Sequence, residues 1–250
     1  MVESEPYIGI DLGTTNSCMG LWLPETGTVE ILANAVGKNT TPSWVAFETD
    51  GQVYVGESAR NHKNWIYDAK RIIGRSFNDE KVTQYKDKWA FKVVKGKKER
   101  SEIKLVGLPR SISIEEVSAH VLKAMKRVAE VRCNRSITKA VVTVPAYFNE
   151  TQRKATKDAA TIAGLDCIRM INEPTAAAMA TGFHLSDDEK NVLVFDWGGG
   201  TFDVSVLQIS DGCIEVLATK GDMDLGGRDI DELLVDLCVE KFLEQTGIDL

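Results

Sequence analysis

Apolar residues in the first third of the chain fall in short runs rather than at helical spacing. Tyr7 to Ile10, Cys18 to Leu23 and Val29 to Leu32 each read as a strand, broken by "DLGTTNS" and by "PETGT". Three strands in succession with short breaks predict an antiparallel meander. From Thr40 to about Gly107 the pattern loses regularity: short strands at Ser43 to Phe47 and Ala90 to Val94, a helical piece ending in "YDAKRIIGR", and a charged loop. This stretch reads as an insertion or subdomain. At Ser113 the period changes to that of a helix. Ser113 and Glu116 form a capping box, and Ile114, Val117, Val121, Met125 and Val128 recur on one face. "KAVVTVPAYF" (Lys139 to Phe148) is nearly continuous and β-branched, as a strand covered on both faces would be. A helix follows from about Thr151 to Ala163, then the short strand "CIRMI", then a helix with Pro174 in its first position, where the missing N–H costs least. The alternation of strand and helix predicts an α/β architecture.

The opening grammar then returns. Ile8-Gly9-Ile10-Asp11-Leu12-Gly13-Thr14-Thr15 is an apolar strand ending in Asp and followed by a turn of small residues; Val194-Phe195-Asp196-Trp197-Gly198-Gly199-Gly200-Thr201 repeats it 185 residues later. Val192 to Phe195 reads as a buried strand and Val204 to Ile209 as its partner, with three costly glycines between them. A two-copy similarity implies two lobes of like topology. Such a turn has a physical use. Glycines let backbone N–H groups converge on an anion, Thr hydroxyls add donors, and a strand-end Asp offers the hard oxygen that Mg²⁺ prefers, directly or through water. One copy alone is better read as an ordinary hairpin; two matched copies point to a metal-bound polyphosphate. Neither copy has the Walker or dinucleotide-binding spacing.

Composition narrows the class without fixing it. The chain of 250 residues is 43% hydrophobic and 27% charged with a net charge of −7, which suits a globular domain and argues against a nucleic-acid or anionic-membrane surface. The basic cluster "KGKKER" (Lys95 to Arg100) reads as a solvated loop. Five widely spaced cysteines read as reduced thiols, with Cys18, Cys167 and Cys213 as core filler; His62, His120 and His184 lack metal-ligand spacing. Without a basic leader or a long apolar run the protein is expected in the cytoplasm.

The segments "GIDLGTTNS", "NTTPSWVAF", "DAKRIIGR", "VVTVPAYFNETQRKATKDAATIAGL", "INEPTAAAMA", "FDWGGGTFDVSV" and "LGGRDID" resemble the N-terminal ATPase domain of the heat-shock protein 70 chaperone family, in that family's order and from Tyr7 onward. The resemblance implies an α/β, actin-like ATPase fold with two lobes of like topology and mixed sheets around a cleft for Mg-ATP. Lobe I would span residues 1–186, with the inserted subdomain at about 40–112, and 187–250 would begin an incomplete lobe II. It implies Mg²⁺-dependent hydrolysis of ATP to ADP and phosphate in the service of protein folding. By motif, Asp11 and Asp196 become metal-side carboxylates acting mostly through water. Asp11, Gly13, Thr14, Thr15 and Asn16 form the first nucleotide-binding turn, and Gly198, Gly199, Gly200 and Thr201 the second. Lys70, Glu173, Asp196 and Thr201 become the catalytic set, Lys70 orienting the attacking water. Pro145 and Arg153 resemble the family's relay of nucleotide state; their plain reading is a strand-end proline and an exposed helix arginine. J-domain co-chaperones and nucleotide exchange factors are the implied partners, with unfolded polypeptide bound only through a further domain.

The sequence departs from the family pattern at Trp197, a large ring that must find room in a phosphate turn, and at Met223, Asp224 and Arg228. The chain stops where the family continues into an adenosine-embracing motif, so weakened nucleotide binding, impaired turnover and exposed faces after about Ser210 are expected. A catalytically inactive module that only binds co-chaperones is the alternative, and a sugar or glycerol kinase of the same fold is a distant third.

Overall fold

In the computed structural model, which describes residues 5–182, 189–223 and 225–249, the chain divides into two units, Met1–Ala176 and Ala177–Leu250. His184, Asp224 and the expected lobe boundary at 186–187 lie outside the described residues.

The first unit begins with the anticipated meander, β1 (Tyr7–Asp11), β2 (Asn16–Leu23) and β3 (Thr28–Ile31), followed by β4 (Thr40–Pro42). The irregular stretch supplies β5 (Val45–Phe47), β6 (Val53–Val55), β7 (Trp65–Ile66), the short helices α1 (Ala69–Ile72) and α2 (Glu80–Tyr85), and β8 (Lys92–Lys95), β9 (Ser101–Lys104) and β10 (Ile112–Ser113). These strands form two small antiparallel sheets, β6-β5-β7 and β10-β9-β8. Then come α3 (Ile114–Cys133), β11 (Lys139–Val144), α4 (Glu150–Ile162), β12 (Asp166–Asn172) and α5 (Glu173–Ala180).

The main sheet has the order β12-β11-β1-β2-β3, with β4 also on β2. It is mixed: β1 and β12 run parallel to β11, while β2 is antiparallel to β1, β3 and β4. Ile8, Ile10, Leu21, Leu122, Met125 and Val142 are fully buried in a continuous core that also takes in Val45, Ile66 and Ile103 of the small sheets. Each such side chain stabilises the fold by about 1.5–3 kcal/mol.

Local chemistry fixes the helix starts. The Ser113 hydroxyl accepts from the Glu116 amide at 3.1 Å, but the Glu116 carboxylate turns outward to Arg110, so only half of the expected capping box forms. At α4 the box is complete: the Asn149 side chain accepts from the Gln152 amide and the Gln152 side chain accepts from the Asn149 amide. β11 is shorter than the apolar run suggested. It ends at Val144, before Pro145, and its burial alternates, with Ala140, Val142 and Val144 inside and Val141 and Thr143 on a half-open face. The cluster Lys95 to Arg100 runs from the end of β8 through a single 3-10 turn, Lys97–Glu99; its lysines are exposed, and Arg100 pairs with the buried Glu115 at 2.8 Å.

The second unit is the antiparallel sheet β13 (Lys190–Trp197), β14 (Phe202–Ser210), β15 (Cys213–Asp222), followed by α6 (Gly227–Thr246). Its core is small: Ala178 of α5 packs with Leu207 and Ile209, flanked by Val192, Val194, Ile214 and Val216. The run from Val192 to Phe195 is therefore a strand, but not a buried one. Leu193, Phe195 and Trp197 share the open face of β13 and are 64%, 63% and 52% exposed. Helix α6 buries none of its residues, although Leu233, Leu234, Val235 and Leu237 line it.

Candidate functional site

The two turns singled out in the sequence close hairpins of the same register. β1 and β2 pair Ile8 with Leu21, Ile10 with Met19 and Asp11 with Cys18. β13 and β14 pair Leu193 with Val206, Phe195 with Val204 and Asp196 with Asp203. Adding 185, the step from Asp11 to Asp196, to each residue of the first set gives the second set. Gly13 and Gly198, Thr14 and Gly199, Thr15 and Gly200, and Asn16 and Thr201 are thus counterparts, as are Leu12 and Trp197.

In the first hairpin, Gly13 has no room for a side chain, since a Cβ would lie 2.0 Å from the Asn16 carbonyl oxygen. Asn16 itself is exposed and begins β2. The Asp11 carboxylate, exposed at the end of β1, accepts from the Thr143 hydroxyl at 2.8 Å. Thr143 reaches it because β11 lies beside β1 with Val142 opposite Ile10. Ser43 braces the turn: its amide donates to the Thr15 carbonyl and its hydroxyl to the Gly13 carbonyl, both at 2.8 Å. Thr15 Oγ1 is buried and has no hydrogen-bond partner among the described residues. Thr143 and Ser43 were missed in the sequence. The only hint of the former was a lone polar residue in "VVTV".

In the second hairpin, the Gly198 amide donates to the Thr201 carbonyl at 2.9 Å and closes the turn. The start of α6 then locks it, the Gly227 amide donating to the Gly198 carbonyl at 3.0 Å and the Arg228 amide to the Gly199 carbonyl at 2.9 Å. A Cβ on Gly226 would lie 2.4 Å from the Gly200 nitrogen and 2.5 Å from the Gly199 carbonyl carbon. "LGGRDID" is therefore the support of the glycine turn. Asp203, buried and directly across from Asp196, adds a second carboxylate that sequence reasoning passed over, though it lies within "FDWGGGTFDVSV". Trp197 does not crowd the turn. Strand alternation puts it on the face opposite Asp196, where its ring meets Phe202 edge-on with centroids 6.4 Å apart. The Arg228 side chain lies along α6 toward Glu232, at 3.7 Å.

Two remaining candidates meet within the first unit. Lys70 Nζ, from α1, donates to Glu173 Oε1 at 2.5 Å, with the two side chains 12% and 15% exposed. Asp68 precedes α1 in a left-handed conformation, φ 57°, uncommon away from glycine, and sets the direction of that single turn. Arg153 is no exposed helix arginine. It donates to the carbonyls of Phe148 at 3.0 Å and Ala146 at 3.3 Å and to the Asn172 side chain at 2.9 Å, tying the segment after Pro145 to the residue before Glu173.

Histidines take no part in these groupings among the described residues: His62 pairs with Glu48 and His120 rests against Phe47. The five cysteines are free; Cys167 is buried and Cys18 half-buried, but Cys213 is exposed rather than core filler.

Fold and site together define a mixed α/β protein built on two register-matched hairpins, each closing on a glycine turn beside a strand-end aspartate. The family model described as Hsp70 protein matches residues 7–250, and the chain belongs to the Hsp70 family. It carries a chaperone-family ATPase domain, and domains of this family bind ATP or ADP with Mg²⁺. No helix among the described residues is long and apolar enough to cross a membrane.

Proposed function

We propose that the chain is the ATP-hydrolysing part of an actin-like, two-lobed chaperone of the cytoplasm, with the two glycine turns as its phosphate-binding elements. The observation that carries this reading is the Lys70–Glu173 pair. Two opposite charges taken this far out of water rarely stabilise a fold more than apolar residues would. Their value lies in an ammonium held at a fixed place.

The residues fit a magnesium-bound nucleotide. Among the described residues Thr15 Oγ1 is a buried polar atom lacking a partner, of the kind that a phosphate oxygen satisfies, and the second turn carries no side chain at Gly198, Gly199 and Gly200. Gly13, Thr14 and Thr15 on one hairpin and Gly199, Gly200 and Thr201 on the other, in a turn that Gly198 closes, would hold phosphate oxygens through amides and hydroxyls. Asp11 and Asp196, with Asp203 beside the latter, would hold the water shell of Mg²⁺, which gives up its waters reluctantly. Bound Mg²⁺ supplies positive charge to the phosphates. Glu173 fixes the direction of the Lys70 ammonium, which then orients a water and offsets charge growing on the terminal phosphate. Docking of J-domain proteins and exchange factors, and coupling to a polypeptide-binding domain, belong to the same reading.

The test combines binding with turnover. At Mg-ATP about tenfold above its Kd, mass action stabilises the folded state by about 1.4 kcal/mol, a rise of about 3–5 °C in Tm. That rise is expected in the parent and lost in Asp11→Ala, whereas Lys70→Ala keeps it but releases phosphate at least about a hundredfold more slowly. A parent chain that shows neither a rise nor phosphate release refutes the reading.

A further inference from the structure

We infer that Ser43, backed by Ser17, is a positioning residue for the first phosphate turn; the inference rests on the proposed phosphate role of that turn. Ser17 and Ser43 are 1% and 7% exposed, and their hydroxyl oxygens lie 2.8 Å apart. Ser43 has a single hydroxyl proton, and it is donated to the Gly13 carbonyl. The proton between the two serines therefore comes from Ser17. The result is a directed chain, Ser17 to Ser43 to Gly13, within a core whose β2 neighbours Met19 and Leu21 are apolar. Successive hydroxyls in such a chain strengthen one another.

The end of the chain decides what it does. A trans peptide unit is planar, with its C=O and the next N–H pointing opposite ways. Holding the Gly13 carbonyl toward Ser43 turns the Thr14 amide to the other side of the turn, the side from which an anion must come. The Ser43 amide holds the Thr15 carbonyl as well, so the turn is gripped at two of its peptide units by one residue. Pre-set amides bind an anion without first being ordered.

Four variants of the chain test this: Ser43→Ala, Ser17→Ala, the double variant and Ser43→Thr. The readouts are Kd for Mg-ADP, Tm without nucleotide, and amide hydrogen exchange over residues 11–17 without nucleotide. Ser43→Ala should weaken Mg-ADP binding about tenfold, the worth of one hydrogen bond, and speed exchange in that segment. Ser17→Ala leaves the Gly13 bond in place and should weaken binding less than about threefold. In Ser43→Ala the Ser17 hydroxyl is stranded, so the double variant should recover part of the lost Tm but none of the lost affinity, while Ser43→Thr, which keeps the hydroxyl, restores affinity. The inference falls if Ser43→Ala binds Mg-ADP like the parent, or if affinity recovers together with Tm in the double variant. A parent chain that binds no Mg-ADP refutes the phosphate reading alone; the brace is then judged by exchange, unchanged rates in Ser43→Ala overturning it and faster rates upholding it.

Discussion

Cys18 sits across the first hairpin from Asp11, the place that Asp203 holds opposite Asp196. Burial, and after it the Asp11 carboxylate, push the Cys18 thiol above its usual value. A raised thiol carries little thiolate at neutral pH, and the thiolate is the nucleophile. Iodoacetamide at pH 7.5 is therefore expected to modify the exposed Cys213 and Cys238 first, with Cys18 and the buried Cys167 far behind. Asp11→Asn removes the second cause and should speed alkylation of Cys18 several-fold, as read by peptide mass spectrometry; an unchanged rate would show that no charge is felt across the hairpin. At this scale the sequence disclosed residues whose meaning is local. A strand-end Asp, a Gly beside two Thr and a Lys inside "DAKR" announce themselves by their neighbours. Thr143 and Ser43 do not, because their use depends on which strand lies beside which, 132 residues apart for Thr143 and Asp11 and 30 for Ser43 and Gly13.

Between turn and helix, the contact of Gly226 with the glycine turn makes a sharp prediction about two adjacent glycines. A methyl on Gly226 meets backbone of Gly199 and Gly200 at 2.4–2.6 Å, whereas one on Gly227 finds only the Gly199 Cα at 3.9 Å. Backbone cannot swing aside, so Gly226→Ala should destabilise by about 1–3 kcal/mol in urea unfolding. Gly227→Ala, in the first turn of α6, should stay within about 0.5 kcal/mol of the parent. Equal losses would mean that the helix start does not hold the turn. Element types were largely legible: the meander, the cap at Ser113, and the strand-helix alternation follow from spacing and capping chemistry. Burial was not. The same apolar run is a half-covered strand in β11 and an open-faced one in β13, since the covering element, not the run, decides which side is dry. The proline after Val144 marked the end of β11 more reliably than the apolar residues beyond it.

For the molecule as a whole, two apolar faces are exposed among the described residues of the second unit: Leu193, Phe195 and Trp197 on β13, and Ile230, Leu233, Leu234 and Leu237 on one side of α6. Patches of this kind drive association in water. Sedimentation velocity over a hundredfold range of concentration should show a weight-average coefficient that rises with concentration, and Phe195→Glu with Leu233→Glu should suppress the rise. A single concentration-independent monomer boundary would show that these faces do not self-associate. The internal repeat was legible because two copies of one grammar stood 185 residues apart, and the matched hairpin registers give it physical form. The repeat also differs in one respect, Leu12 being buried where Trp197 is open to solvent. Trp22, Trp44, Trp65 and Trp89 lie in the first unit, each at least partly covered, and Trp197 alone lies in the second. Iodide added to the solution therefore reaches one indole before the other four, so that the emission of the second unit, at the rim of its glycine turn, can be separated from that of the first without a label being attached.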